Sequence, residues 1–335
     1  MMMCTVPRRE ALKQGMAALA GLLAWGTGLP ALAQARLEQI NVLCTGPAGS
    51  IPDIVARRVA EQLAGRHAQR VVVDNRPGAA GQIAVNALKA TSAEVSTLLL
   101  AQGAIATVYP YLYAKLAYDP AHDLRPVSLA GEMTLGLAVG PAVPESVTNV
   151  PELVLWMRRN PKLANVASPG TGTVPHLLEA MLFRTADVPW QHIVYSGGPP
   201  ALVDLIGGQV AVLVLPEGLL RQHRMAGRLR VLATSGSGRS SYLPDVPSLA
   251  EQGWPELVVR EWFAFFMSGR TAPAAVESMS QALRLALAQP VLAAAFAESG
   301  MVAASSTPAA LAGRIAVEQR YWEPLIRTAN IRAEG

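Results

Sequence analysis

Apolar and polar positions follow two rhythms along this chain. Short runs rich in Val, Ile and Leu recur at residues 40–44, 70–74, 97–101, 164–167, 191–195, 210–215 and 229–234. Each is too brief for a helix and is bounded by Gly, Pro, Asn or Asp, so each reads as a strand. Between them, apolar residues at helical spacing predict helices over 51–65, 82–90, 150–160, 174–185 and 201–207, with a further helical stretch over 105–113. Residues 135–139 open a second series of the same kind, 258–267 form an apolar strand-like return, and helices over 274–288, 290–298 and 308–325 close the chain. Strand alternating with helix predicts an α/β fold with parallel, doubly wound sheets, and the repetition predicts two such domains. Residues 36–138 together with 258–335 form domain 1 on this reading, and 139–257 form domain 2. The chain then crosses between the domains twice, which makes a cleft with a hinge. In such sheets ligands bind beyond the carboxyl ends of the strands, here the turns at 46–50 and 102–107.

One turn stands out chemically. Val42-Leu-Cys-Thr-Gly-Pro-Ala-Gly-Ser-Ile-Pro-Asp-Ile-Val-Ala-Arg57 runs from the first strand through a Gly/Pro loop into the first helix. Ser50 occupies the N-cap position, Pro52 the first turn, and Asp53 lies three residues past the cap, a match to a capping box. A helix start approached by a glycine-containing loop offers unpaired N–H groups and the positive dipole end to an anion. Every strand-to-helix turn needs a cap, so the weight comes from an echo: Gly49-Ser-Ile-Pro-Asp53 returns as Gly172-Thr-Val-Pro-His176, behind the loop Ser168-Pro-Gly-Thr-Gly-Thr173.

Composition narrows the setting. Residues 1–35 read as an export signal, with Arg8 and Arg9 as the positive end, an apolar run over 16–25, and small-residue cleavage sites at Ala31-Leu-Ala33 or Ala33-Gln-Ala35. Pro7-Arg-Arg-Glu-Ala-Leu-Lys13 resembles a twin-arginine signal but lacks its usual Ser/Thr and Phe, so twin-arginine and ordinary secretory export both stand. The apolar run is broken by Gly21, Gly26 and Gly28, and it is too short for a membrane span. A periplasmic location in a Gram-negative cell follows as the expectation. Arg8, Arg9 and Lys13 against Glu10 carry +2 of the formal +4, so the remaining chain is nearly neutral. With no basic stripe interleaved with aromatics, nucleic acid is not expected as a partner. Cys4 leaves with the signal, and the one remaining cysteine, Cys44, can form no internal disulfide and anchors no cysteine metal cluster. In an apolar strand it reads as buried and inert.

Several segments together resemble the tripartite tricarboxylate transporter receptors, also called Bug proteins. The carriers are Asp53-Ile-Val-Ala-Arg57, Val71-Val-Val-Asp-Asn-Arg-Pro-Gly-Ala-Ala-Gly81, Leu112-Tyr-Ala-Lys-Leu-Ala-Tyr-Asp-Pro120, Asp204-Leu-Ile-Gly-Gly-Gln-Val210, Gly227-Arg-Leu-Arg-Val-Leu-Ala233 and Leu243-Pro-Asp-Val-Pro-Ser248. The resemblance covers the whole chain beyond the signal. It implies a type II-like periplasmic binding protein, a Venus flytrap, that closes on a small carboxylate through backbone N–H groups and ordered waters of two loops. Those loops fall here on 45–53 and 168–176, the same pair that the echo singles out. The ligand-binding candidates are therefore Thr45, Ala48, Gly49, Ser50 and Asp53 from the first loop, and Ser168, Gly170, Thr171, Gly172, Thr173 and His176 from the second. Gln102, Tyr195 and Gly197 join them at strand ends on the cleft edge.

Departures from the family pattern shape the expected ligand. The usual Pro-Phe-Pro-Pro-Gly-Gly is here Thr45-Gly-Pro-Ala-Gly-Ser50, which predicts a roomier pocket at Gly46 and an added hydroxyl at Ser50. Tyr195-Ser-Gly197 loses the family's lysine, and Ala211 replaces a frequent aspartate, which disfavours a polyanion such as citrate. The expected guest is a dicarboxylate, an amino acid or an aromatic acid. Asp53 either meets a ligand amine or only caps its helix, and a lone histidine such as His176 is more often structural than a ligand group. Trp262, among Phe263, Phe265 and Phe266, reads as core or hinge packing. The expected partners are the membrane permease subunits of a tripartite tricarboxylate transporter or, alternatively, a sensor kinase. A monomer without cofactor or metal is expected. A hydrolase is the weaker rival: Ser50 or Ser168 could be drawn with His176 or His192, but no Gly-x-Ser-x-Gly elbow is present. The glycine spacing of Gly46-Pro-Ala-Gly49 likewise fails a dinucleotide fingerprint.

Overall fold

Parallel pairing begins where the apolar runs begin. In the computed structural model, which describes residues 36–91, 96–329 and 332, β1 (Leu37–Cys44) lies parallel between β2 (Ala68–Asn75) and β3 (Thr97–Gln102). The expected export signal at 1–35 lies outside the described residues. The crossovers carry α1 (Ile51–Leu63) and α2 (Gln82–Ala90), the second entered through a 3-10 turn at Ala79–Gly81.

After β3 the chain departs from the expected helix over 105–113. It forms two short pieces instead, α3 (Ala104–Thr107) and α4 (Tyr109–Leu112). Pro110 is the reason, since it has no N–H to donate and its ring collides with the carbonyl four residues back. α5 (Pro120–Asp123) then leads into β4 (Leu124–Val139), a strand of 16 residues where only its last five were expected. Its register against β9 (Arg260–Ser268) shifts between Pro126 and Ser128 and again between Leu129 and Gly131. Each bulge inserts an extra residue and breaks the period-2 pattern that would have marked the strand.

β4 is the strand that both lobes share. Its first part pairs antiparallel with β9, and its last part pairs antiparallel with β7 (Val212–Pro216) and β8 (Arg230–Thr234). β5 (Asn165–Ser168) lies parallel to β7 and to β6 (Gln191–Val194), giving the order β2-β1-β3-β9-β4-β7-β5-β6, with β8 and β10 (Val302–Ala303) also on β4. The all-parallel expectation therefore holds for β2-β1-β3 and β6-β5-β7. It fails at the crossing strands, which run from one lobe into the other and meet each sheet in reverse. The second lobe carries α6 (Val150–Arg159), α7 (Val174–Thr185), α8 (Gly198–Ile206) and α9 (Glu217–Met225), the last not foreseen. α10 (Pro273–Leu287), α11 (Pro290–Ala297) and α12 (Pro308–Ala329) finish the chain.

Three apolar clusters fill the layers. One packs Val42, Cys44, Leu100 and Phe263 of the first sheet against Val55 and Val59 of α1 and Leu283 of α10. Another packs Leu213 and Leu215 against Leu205 of α8 and Leu220 of α9. The third is continuous through both lobes: Leu99, Tyr109, Leu112 and Trp322 of the first share it with Leu137, Val214, Leu178 and Phe183 of the second.

Candidate functional site

Both echoed loops fold to the same local geometry. Gly49 and Gly172 adopt left-handed φ values of +79° and +75°, a conformation that costs a side-chain-bearing residue dearly. Each then turns its N–H back onto the third residue of the following helix: Gly49 N donates to Asp53 Oδ2 at 2.8 Å, and Gly172 N donates to His176 Nδ1 at 3.0 Å. An aspartate and a histidine thus fill one structural role in two lobes.

The first loop corrects three expectations. Ser50 makes no side-chain cap bond; its Oγ donates to Pro47 O at 2.6 Å, so the capping box is not formed and the hydroxyl is spent inside the loop. Nor is there added room at Gly46, where a Cβ would fall 2.3 Å from Ser50 Oγ and 2.4 Å from Pro52 Cγ. Asp53, 3% exposed, is a hub: Asn75 Nδ2 donates to its Oδ1 at 2.9 Å and Arg57 Nε lies 3.0 Å away, while Asn75 also donates to Gly46 O at 2.9 Å. Burial works to raise its carboxyl, but the Arg57 guanidinium and the Gly49 and Asn75 donors outweigh that and hold it below the ordinary range. Asp53 is therefore committed to the loop. Ala48 stays exposed at its tip.

Gln102 is held from several sides. Thr45 Oγ1 donates to its Oε1 at 3.0 Å, and its Nε2 donates to Ala80 O at 2.7 Å and lies 3.3 Å from Tyr109 Oη. Tyr109 is fully buried and donates to Ala80 O at 3.1 Å. It joins the end of β3 and the Ala79–Gly81 turn to α4, a role that helical periodicity over 105–113 does not reveal.

In the second loop Thr173 caps α7 by accepting from His176 N at 3.5 Å, and its Oγ1 donates to Gly170 O at 2.8 Å. His176 is 7% exposed and its ring stacks on His192 at 3.8 Å and 5° between planes, with Trp190 beside both. Burial and then the neighbouring His192 push the His176 pKa down to about 3; burial also lowers His192. Ser168 Oγ meets His192 Nε2 at 2.7 Å, so one pair drawn for a hydrolase does touch. That serine is 0% exposed and unreachable as a nucleophile. Thr171 is partly exposed. Tyr195 and Gly197 are tied to this loop through their N–H groups, which donate to Ser168 O at 3.0 Å and Pro169 O at 3.1 Å. The Tyr195 hydroxyl instead donates to Asp204 Oδ2 at 2.6 Å, and burial followed by that carboxylate pushes its pKa up to about 12.

In the first lobe Thr45 is bonded to Gln102 and Gly49 to Asp53, two separate pairs, whereas Ser168, Gly170, Gly172, Thr173, His176, Tyr195 and Gly197 are linked around the second loop. The second loop meets the first lobe at Leu112 of α4, where a Cβ on Gly172 would come within 2.0 Å of Leu112 Cδ2. Trp262 is 2% exposed, donates from Nε1 to Glu318 and lies under the Arg314 guanidinium at 5.0 Å, a packing role. Cys44 is a free, buried thiol whose pKa burial pushes up to about 11.

Two α/β lobes sharing a crossing strand, with paired loops at the ends of their parallel strands, define the class of periplasmic binding proteins, and solved structures of that class share this fold. The model of the tripartite tricarboxylate transporter family receptor matches residues 55–331, and the chain belongs to that family. It is 32% identical to protein BugT of Bordetella pertussis over 88% of this chain and 90% of that one. Among solved structures, the R. palustris protein Rpa4515 with adipate is 26% identical with a TM-score of 0.81, covering 89% of this chain and 98% of that one. MatC from Rhodopseudomonas palustris with bound malate is 25% identical with a TM-score of 0.76, covering 88% and 99%. Members of the family are periplasmic solute-binding receptors rather than enzymes.

Proposed function

We propose that this chain is an exported receptor that captures a small carboxylate-bearing ligand between its lobes and delivers it to the membrane subunits of a tripartite tricarboxylate transporter. In this reading residues 1–35 are removed on export, 36–138 with 258–335 form one domain, and 139–257 form the other. The observation that carries it is the repeated loop geometry, Gly49 turned onto Asp53 at the start of α1 and Gly172 turned onto His176 at the start of α7. Two helix starts, one per lobe, favour an anion through their remaining N–H groups and dipole ends without a dedicated arginine. Similar proteins of known structure with adipate and with bound malate support a carboxylate guest. Thermal-shift screening of mono- and dicarboxylates, amino acids and nicotinate-like aromatics should find a ligand of roughly micromolar affinity, about −8 kcal/mol. A folded protein that no carboxylate stabilises would sink the proposal.

A further inference from the structure

Among the described residues, one acid at the crossing of the two lobes has no cation or donor to neutralise it. β9 opens with Arg260 and Glu261. Arg260 Nη1 donates to Glu132 Oε1 at 2.8 Å, whereas Glu261 has no hydrogen bond or ion pair among the described residues. Its place follows from strand register. Glu261 lies opposite Met133 of β4, Phe263 lies opposite Gln102 of β3, and Leu135 of β4 lies opposite Pro216 of β7. Opposed residues share a face and alternate residues return to it, so Glu261, Gln102, Met133 and Leu135 share one face of the sheet. In the first lobe that face carries α1, whose Val55 and Val59 belong to the same apolar cluster as Phe263 and Met133. In the second it carries α7, whose Glu179 Oε1 accepts from Val214 N at 3.3 Å, Val214 being opposite Leu137. The loops that begin α1 and α7 therefore flank the face on which Glu261 stands. Burial raises the pKa of the Tyr109 phenol, the Glu261 carboxylate adds a small further push, and Tyr109 bonds Gln102.

The carboxyl is partly exposed yet surrounded by protein, and burial without an opposing cation pushes its pKa up to about 7. The other acid of the loops, Asp53, is already matched by Arg57, Asn75 and Gly49. An enclosed carboxylate without a partner is costly, and a cation that arrives with the ligand removes that cost. A second ligand carboxylate at the same place adds repulsion instead. We propose that Glu261 determines specificity by receiving the ammonium group of an amino-acid-like zwitterion, so that the receptor distinguishes amino acids from unsubstituted acids of the same carbon skeleton. This rests on the carboxylate-receptor reading above and names the second pole of its ligand.

Matched pairs test it: aspartate against succinate, glutamate against glutarate and alanine against propionate, by calorimetry on the processed full-length chain freed of ligand by unfolding and refolding. The amino member of at least one pair should bind tenfold or more tighter, and Glu261→Gln should bring the two members within about threefold, since tenfold corresponds to about 1.4 kcal/mol. Circular dichroism checks the fold of the variant, and Glu261→Thr provides the same readout if the glutamine form is unstable. Unsubstituted acids that bind as tightly as their amino partners, or a preference that survives both substitutions, overturn the role of Glu261 and leave the receptor reading intact. A folded wild-type protein that binds no amino member of any pair overturns the role of Glu261, and only failure of the wider carboxylate screen as well overturns the receptor reading.

Discussion

The two glycines that open the loops are each pinned differently. Gly49 has open space where a Cβ would stand, so Gly49→Ala meets only the strain of its +79° φ, about 1 kcal/mol. Gly172→Ala meets that strain and Leu112 at 2.0 Å as well, and should cost about 2–4 kcal/mol in urea unfolding and weaken any ligand that needs the lobes closed. Asp53→Ala would strand the Gly49, Asn75 and Arg57 donors at a cost of about 1–3 kcal/mol. The native Asp53 has its pKa lowered from 3.8, so its contribution is fully present above that value and is lost as pH falls through the lower folded value. Asp53→Asn should remove this acid-side dependence, as unfolding curves collected from pH 5 downward will show. The echo of Gly49–Asp53 in Gly172–His176 was legible in the sequence because both loops solve one local problem. That Asp53 is bonded to Arg57 and Asn75 was not, since Asn75 is 22 residues away in the chain and arrives only through β2.

At the scale of elements, the two helix starts differ in what secures them. Thr173 accepts from His176 N, whereas Ser50 has no such bond, so Thr173→Ala should cost about 1 kcal/mol and Ser50→Ala distinctly less in the same assay. α7 is also joined to β6 through the His176–His192 stack, and that joint is acid-sensitive. Both imidazoles have lowered folded pKa values, His176 from 6.5 to about 3. Between these limits the unfolded chain binds protons that the folded chain refuses, so stability falls as pH drops from 6.5 toward 3. Protonation would also deprive Gly172 N of its acceptor. His176→Gln should flatten this limb of the stability–pH profile. Most elements could be read from their periodicity, and the exceptions have local causes: Pro110 divides α3 from α4, and paired bulges hide the first part of β4.

For the whole molecule the decisive feature is the apolar cluster that runs without a break from Tyr109 and Leu112 to Val214, Leu178 and Phe183. Lobes joined through a common core should unfold together, so near- and far-UV circular dichroism should trace one coincident transition despite the two-domain architecture. A ligand supplied at a hundred times its Kd should then raise that single transition by about 2.7 kcal/mol. Two separate transitions, only one of them shifted by ligand, would show that the lobes melt independently.

By itself, the sequence determined the alternation of strand and helix, the two loops with their shared Gly-to-acceptor spacing, and the family, because these depend on residues close together or on recurring motifs. Tertiary structure decided the direction in which the crossing strands run, the commitment of Asp53 and Gln102 to bonds inside the protein, and the position of Glu261 on the face between both loops. Each of these arises from pairing between strands far apart in the chain. Register across a sheet is set by the packing of whole faces, which no short stretch of residues encodes.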